Sequence, residues 1–139
     1  MAEVERFGVS MEGGLLSGLD GLVQRRGYGS RSEALRDLVR QELVKEEWAE
    51  PGREVVGTVT LVYEHHAHDL ADRLTELQHA HHRSIVCSTH VHMDAHNCLE
   101  VVVVRGKSAL VRRIAESLIS TRGVKHGELV ASTTGRGVR

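Results

Sequence analysis

The histidines and cysteines of this 139-residue chain are concentrated in one short stretch. Nine of the ten histidines lie between His65 and His96, Cys87 falls inside that window, and Cys98 follows just after it. Neutral imidazoles and a thiolate are the ligands that borderline divalent transition metals prefer. Isolated histidines are usually surface residues, but a dense group that includes His-x-His and a nearby cysteine predicts a metal site.

The spacing of these residues predicts a β-hairpin that carries the ligands. His90 and His92 are two residues apart in a strand-like pattern, so their side chains share one face. A five-residue turn over 93–97 would place Cys98 opposite His92, and Glu100 opposite His90, on that same face. Cys87 has the opposite parity, and we expect it to be a small buried residue on the other face.

Three donors from one hairpin leave at least one coordination position open. His79, His81, His82 or a water molecule could supply the fourth ligand. Two nitrogens and one thiolate suit Zn, Cu, Ni or Co about equally well, and a fourth imidazole in a plane would favour Ni(II) or Cu(II). The spacing alone does not choose among these metals.

The first fifty residues predict a strand followed by two helices. Apolar residues alternate over 7–11, as in a half-buried strand, and they repeat at helical spacing over 15–23. Ser30 and Glu33 form a capping box for a second helix that ends near Trp48. The strand has no partner nearby, and a unit this small buries little surface, so an intertwined dimer is expected.

The remainder of the chain predicts a second unit, separated from the first by a linker over 50–53 that contains the only proline. Strands are expected over 55–63, 84–92, 98–104 and 128–133. Helices are expected over 69–78 and from a cap at Ser108 onward. This βαββαβ order is the ferredoxin-like arrangement, so the predicted fold class is α+β.

Composition and charge exclude several classes of protein. The formal net charge of −1 gives no overall attraction to nucleic acid or membrane. No apolar run reaches the roughly 18 residues of a transmembrane helix, and the first residues do not resemble a secretory signal, so a cytoplasmic protein is expected. Phosphate-binding, nucleophile-elbow and zinc-protease motifs are also absent. No carboxylate–histidine pair stands out as a general base, so an enzyme is the weakest hypothesis.

Both units together resemble one known family, the nickel-responsive ribbon-helix-helix transcriptional regulators. The resemblance covers nearly the whole chain, and its motifs in combination are highly specific. The matching segments are 24–28, 30–34, 63–65, 78–79, 90–92, 98–100 and 122–127.

The resemblance implies a ribbon-helix-helix domain over 1–49 and an ACT-like metal-binding and tetramerisation domain over 54–134. It implies a planar Ni(II) centre in a homotetramer, with one thiolate and three imidazoles. The implied function is a repressor of nickel uptake genes that binds operator DNA. The implied metal ligands are His90, His92 and Cys98 of one subunit and His79 of a neighbour.

The resemblance also assigns residues to DNA and to a second cation. Paired strands from two subunits would enter the major groove, with Arg6, Gly8 and Ser10 facing outward by parity. Backbone amides near Ser30 and Arg31, at the start of the second helix, suit a phosphate. A secondary cation site would include Glu33 and Asp37, although a solvated helical face explains those two residues almost equally well.

Two other functions remain open from the sequence alone. The same scaffold could sense Cu or Zn instead of Ni. Alternatively, the chain could be a metal or small-molecule binding module without DNA binding, in which the first fifty residues only dimerise.

Overall fold

The computed structural model describes residues 3–139, and within that range it contains four helices and four strands. In chain order they are α1 (Gly13–Arg26), α2 (Arg31–Ala49), β1 (Glu54–Glu64), α3 (Leu70–Ala80), β2 (Ile85–His92), β3 (Asn97–Lys107), α4 (Ser108–Ile119) and β4 (Val124–Ala131).

The four strands form one antiparallel sheet in the order β2-β3-β1-β4. The elements after α2 follow the predicted βαββαβ order, which confirms an α+β architecture. Every second residue of β1 is buried, as expected when helices cover one face of a strand. The buried core joins β1, β3, α3 and α4 and includes Leu61, Tyr63, Leu70, Leu74, Val102, Val104, Val111, Ile114 and Leu118.

The end of α2 packs onto the second unit through the only tryptophan. Trp48 is buried in the same core cluster as the sheet, and its indole N–H donates to the Ser132 carbonyl at 2.7 Å. The Arg112 guanidinium lies 5.2 Å from the centre of the indole ring, within the range of a cation–π contact. This packing joins the predicted first unit to α4 and β4 within one chain.

The helix ends agree with the sequence signals at α1 and α2 but not at α4. Gly27 ends α1 in the left-handed conformation, with φ of 72°. The Ser30 hydroxyl accepts the N–H of Glu33 at 3.2 Å, and the Glu33 carboxylate accepts the N–H of Gly29 at 2.8 Å. Ser108 is the first residue of α4 rather than its cap, because its hydroxyl donates to the Glu50 carbonyl instead.

The strand predicted over 7–11 does not form within one chain. Residues 3–12 have no strand structure, and Phe7 and Val9 are 81% and 57% exposed. A strand exists only through hydrogen bonds to a neighbouring strand, and one protomer offers none to this segment. The ribbon therefore stays a prediction that depends on a second copy of the chain.

None of the helices within residues 3–139 combines the length and the apolar character needed to cross a membrane.

The close approach of α4 to the sheet predicts that Gly127 does not tolerate a side chain. A Cβ at Gly127 would lie 2.8 Å from Cγ1 of Ile119 and 3.1 Å from Cδ2 of Leu61. We expect Gly127→Ala to lower the free energy of unfolding by about 1–3 kcal/mol, because overpacking moves α4 away from β4. Urea denaturation followed by circular dichroism measures this change.

The matched control is Gly52→Ala, because a Cβ at Gly52 would meet no atom within 4 Å. It should leave the denaturation midpoint within error of the wild type. Equal midpoints for Gly127→Ala and Gly52→Ala would contradict the packing described for α4.

Candidate metal centre

The β2–β3 hairpin has the predicted register. His92 is the Cα partner of Cys98, and His90 is the partner of Glu100. Five residues, 93–97, separate His92 from Cys98, so the predicted turn length is also correct. Because directly opposed residues of an antiparallel pair share a face, these four side chains lie on one side of the sheet.

Hydrogen bonds to one carboxylate hold the turn of this hairpin. Oδ1 of Asp94 accepts the backbone N–H groups of His96 and Asn97, each at 2.8 Å, and its two oxygens accept from the side-chain amide of Asn97. The bonds from Asn97, and then that from His96, lower the pKa of Asp94 to about 2. The carboxylate is therefore ionised and fixes the turn at any physiological pH.

The closest pair of potential ligands is the thiol of Cys98 and the imidazole of His92. Sγ of Cys98 lies 3.5 Å from Nδ1 of His92. The cysteine is fully buried at the end of the sheet, whereas the histidine is exposed. A sulfur and an imidazole nitrogen at this separation can bind one metal ion after small side-chain movements, since Zn–S and Zn–N bonds measure about 2.3 and 2.0 Å.

A third donor, His65, joins this pair. Ligand atoms of His65, His92 and Cys98 all lie within 4.8 Å of one another. Among residues 3–139, no other group of three or more histidine, cysteine or acidic residues is this close together. The rings of His65 and His92 are 5.3 Å apart between centres, at 81°. His65 is exposed, and it is not among the ligands that the sequence predicts.

The register of β1 on β3 brings His65 to this position. Tyr63 is the Cα partner of Cys98, so the chain that follows β1 passes beside the hairpin turn. There the N–H of His65 donates to the carbonyl of His96 at 2.7 Å. The position of His65 follows from the pairing of β1 with β3. The spacing of residues within the hairpin does not predict that pairing.

His90 points into a polar network instead of toward the thiol. Its Nε2 lies 2.8 Å from Oε1 of Glu100, and its Nδ1 lies 3.3 Å from the hydroxyl of Tyr63. That hydroxyl donates to Oε2 of Glu100 at 3.4 Å, and the side-chain amide of Gln78 donates to Oε1 at 3.3 Å. The buried Glu100 carboxylate thus fixes the ring of His90, as outer carboxylates do for metal-bound histidines.

The phenol in this network stays protonated. Burial raises the pKa of Tyr63 most, and the negative charges of Glu100 and Cys98 raise it further. A protonated phenol donates one hydrogen bond to the buried carboxylate of Glu100, which reduces the cost of burying that charge.

His79 lies in the last turn of α3 and is exposed. Within residues 3–139 it does not belong to the group formed by Cys98, His92 and His65. The neighbouring alternatives, His81 and His82, are likewise outside that group, and Nδ1 of His82 lies 3.2 Å from the carbonyl of His79. One protomer therefore brings none of the three predicted fourth ligands to the hairpin.

Cys87 is exposed, so the prediction that it is buried is wrong for the protomer. It lies on β2, which is an edge strand whose residues from Val86 to His92 are all exposed. The helices cover the middle of the sheet and not this edge. Alternation along β2 predicts which face Cys87 occupies, but both faces of this strand are uncovered.

The residues predicted to contact DNA are on the surface. Arg6, Gly8 and Ser10 are exposed, and Ser30 caps α2. The guanidinium of Arg31 forms a two-point ion pair with Asp20, with distances of 2.7 and 2.9 Å. This exposed pair is worth little free energy, so it leaves Arg31 able to exchange partners.

The two residues predicted for a secondary cation are engaged with protein groups. Glu33 accepts the Gly29 N–H, and Asp37 lies 3.3 Å from the guanidinium of Arg40. Within the described residues they form no group of three possible metal ligands. The secondary cation therefore stays a prediction.

The donor set of this centre fits a borderline divalent ion. One sulfur lies near imidazole nitrogens, and a buried carboxylate orients another imidazole, which is the chemistry that Ni(II), Cu(II), Co(II) and Zn(II) accept. Calcium and magnesium require oxygen ligands, and the group of His65, His92 and Cys98 contains none.

Comparisons with known proteins identify the family. Residues 56–132 match the model of the NikR C-terminal nickel-binding domain. A candidate nickel-responsive regulator of Geobacter sp. (strain M21) is 59% identical over 138 residues, which cover 99% of both chains. Similarly named proteins of Geobacter sulfurreducens and Nitratidesulfovibrio vulgaris are 58% and 54% identical, over 97% and 98% of each chain.

The family model matches more than half of this chain, and the relatives align over nearly all of it. Both findings agree with the thiol and imidazole ligands of the hairpin. The chain therefore belongs to the NikR family of nickel-responsive regulators, and it binds Ni(II).

Proposed function

We propose that this chain is a nickel-responsive, DNA-binding transcriptional regulator that represses nickel uptake genes. Nickel binds at subunit interfaces and promotes binding to operator DNA. The observation that carries the proposal is the approach of Cys98 Sγ to His92 Nδ1, at 3.5 Å, on a hairpin that also carries His90 on the same face.

The proposed ligands are His90, His92 and Cys98 of one subunit and His79 of a second subunit. The hairpin supplies three ligands on one face. Glu100 would keep its bond to Nε2 of His90 and orient the ring, and Nδ1 would exchange the hydroxyl of Tyr63 for the metal ion. Bound nickel would supply a coordination bond between the two subunits.

Uncovered apolar residues on the hairpin support a subunit contact there. Val86, Val91 and Met93 are 59%, 44% and 60% exposed, although they lie on or directly after a strand of the main sheet. Large apolar side chains grouped on one edge favour contact with another surface. A second copy of the chain placed on this edge could bring its His79 to the hairpin, which makes the assembly a dimer of dimers.

The N-terminal unit has its own uncovered apolar face, which supports the ribbon dimer. Phe7, Val9, Leu15 and Val39 are each more than half exposed. Pairing 7–11 with the same segment of a second copy would bury these side chains and satisfy the backbone groups of both strands.

The outward face of that ribbon would read DNA. Arg6 can bond the guanine edge in the major groove, Ser10 can bond either partner, and Gly8 lets the backbone approach the bases. At the start of α2, the backbone N–H groups near Ser30 and Arg31 and the guanidinium of Arg31 suit a phosphate.

Nickel would act on DNA binding by shifting a population of conformations. A ligand favours the state that it binds more tightly, and an ion shared by two subunits favours their assembled arrangement. The relevant arrangement is the one in which both ribbon dimers face a single duplex.

Removing the thiolate should abolish tight nickel binding. We expect Cys98→Ser to lose the charge-transfer absorption of the nickel complex and to weaken nickel affinity by more than about 100-fold, since even outer partners of ligands contribute about 10- to 100-fold. Absorption spectra and competition with a chelator measure both effects. Cys87→Ser is the matched control, and the hypothesis fails if the two variants behave alike.

Mixing two variants tests whether the site is shared between subunits. His79→Ala and His92→Ala should each lack tight nickel binding alone. Mixed assemblies, prepared by unfolding and refolding the two variants together, should regain part of it, because an intact hairpin from one subunit meets an intact His79 from the other. If mixing restores nothing above the separate variants, the shared site is contradicted.

Replacing Arg6 tests the DNA-binding surface. Duplexes selected from a random pool by the nickel-loaded protein provide the probe. We expect Arg6→Ala to weaken their binding by about 1–3 kcal/mol, the usual contribution of a bidentate arginine–guanine contact. Arg113→Ala, an exposed arginine on α4, is the control and should bind as the wild type does.

The selection itself can overturn the DNA-binding role. A pool that shows no enrichment with nickel present would contradict it and would favour a metal-binding module that only dimerises through its first fifty residues. Enrichment that Arg6→Ala leaves unchanged at several salt concentrations would instead contradict the proposed contact surface.

A further inference from the structure

Two histidines beside the metal centre are not used by the proposed function. His66 follows β1 and His96 lies in the β2–β3 turn, and both are exposed. The hydrogen bond from the His65 N–H to the His96 carbonyl, at 2.7 Å, joins the two segments that carry them. Their rings therefore lie on neighbouring, connected pieces of backbone.

The rings form a continuous series with His65. The ring centres of His65 and His66 are 5.2 Å apart, and those of His66 and His96 are 6.4 Å apart. Two imidazoles bound to one ion have ring centres about 4.5 to 6.4 Å apart, from adjacent to opposite positions, given metal–nitrogen bonds of about 2.0 Å. Both separations are therefore compatible with a shared ion.

The backbone at His96 is already fixed without a metal. Asp94 accepts the N–H of His96 at 2.8 Å, and the ammonium group of Lys125 donates to the side-chain carbonyl of Asn97 at 2.7 Å. A ligand on a rigid turn loses less conformational entropy when it binds an ion. His96 is thus better prepared for binding than a histidine on an open loop.

Neither ring is committed to another group. Across residues 3–139, no side-chain hydrogen bond or ion pair is formed by the imidazoles of His66 and His96, whereas His68 pairs with Asp69 and His90 with Glu100. Their nitrogens are therefore free to bind a cation from solvent.

We infer that His66 and His96 form a second site for a borderline divalent ion, separate from the site at Cys98. Two imidazoles and water bind such an ion more weakly than a thiolate with several imidazoles does. The second site is accordingly the weaker one. It lies at the protein surface, with His65 between it and the centre at His92 and Cys98.

Counting bound ions tests this inference. Equilibrium dialysis against Ni(II), repeated with Co(II), measures the number of ions per chain and their affinities. We expect the wild type to hold a tight ion and a weaker one that a mild chelator removes. The double variant His66→Ala/His96→Ala should lose one weak equivalent and keep the tight ion with its charge-transfer absorption.

Two further proteins make the outcomes distinguishable. His126→Ala removes an exposed histidine on β4 that is not part of the ring series of His65, His66 and His96, and it should keep the weak equivalent. In Cys98→Ser the tight site is removed, and the weak equivalent should remain and should still depend on His66 and His96. That background tests the second site even if the proposed ligands of the tight site are wrong.

The inference is overturned if the double variant retains the weak equivalent, or if the wild type binds no ion beyond the tight one. It is also overturned if His126→Ala loses as much weak binding as the double variant does, because the loss would then reflect histidine content alone.

Discussion

The pairing of β2 with β3 is the constraint on which the metal chemistry depends. Cys98 lies opposite His92 and Glu100 lies opposite His90, so one register determines which residues can share an ion. A shift by one residue would turn every side chain of β2 to the other face and would separate the imidazoles from the thiol. The Asp94 carboxylate, which accepts the backbone N–H groups of the turn, helps to exclude that shift.

The two strands of the hairpin have different surroundings, and that difference divides their roles. β3 lies inside the sheet, where Cys98 and Glu100 are buried and held in place by the core. β2 lies at the edge, and its imidazoles face solvent within one protomer. A rigid thiol on β3 and accessible imidazoles on β2 suit the metal site that we propose, in which another subunit supplies a ligand. That subunit can approach β2 because this strand lies at the open edge of the sheet.

Local spacing was enough to predict the hairpin. Strand alternation places His90 and His92 on one face, and a five-residue turn before Cys98 places the thiol on that same face. The end of α1 at Gly27 and the start of α2 at Ser30 could be predicted in the same way. Both residues form hydrogen bonds with backbone groups only a few residues away. These features depend on interactions between near neighbours in the chain.

Features that depend on distant pairing could not be predicted. His65 joins Cys98 only because β1 pairs with β3, and a sequence does not give the register between strands separated by a helix and another strand. Cys87 was expected to be buried because alternation places it on the face opposite His90. Alternation predicts the face but not whether a helix covers that face, and Cys87 is exposed. The strand over 7–11 has no partner within one chain, so its pairing depends on assembly.

The most direct test of the account is the crystal structure of the nickel-loaded protein, with anomalous scattering used to locate the ion. The account predicts nickel bonded to Sγ of Cys98 and to the imidazoles of His90 and His92, with the fourth bond from His79 of a second subunit. Metal–ligand distances should be about 2.0 to 2.3 Å. Tightly bound nickel that does not contact Cys98, or whose ligands all come from one subunit, would contradict it.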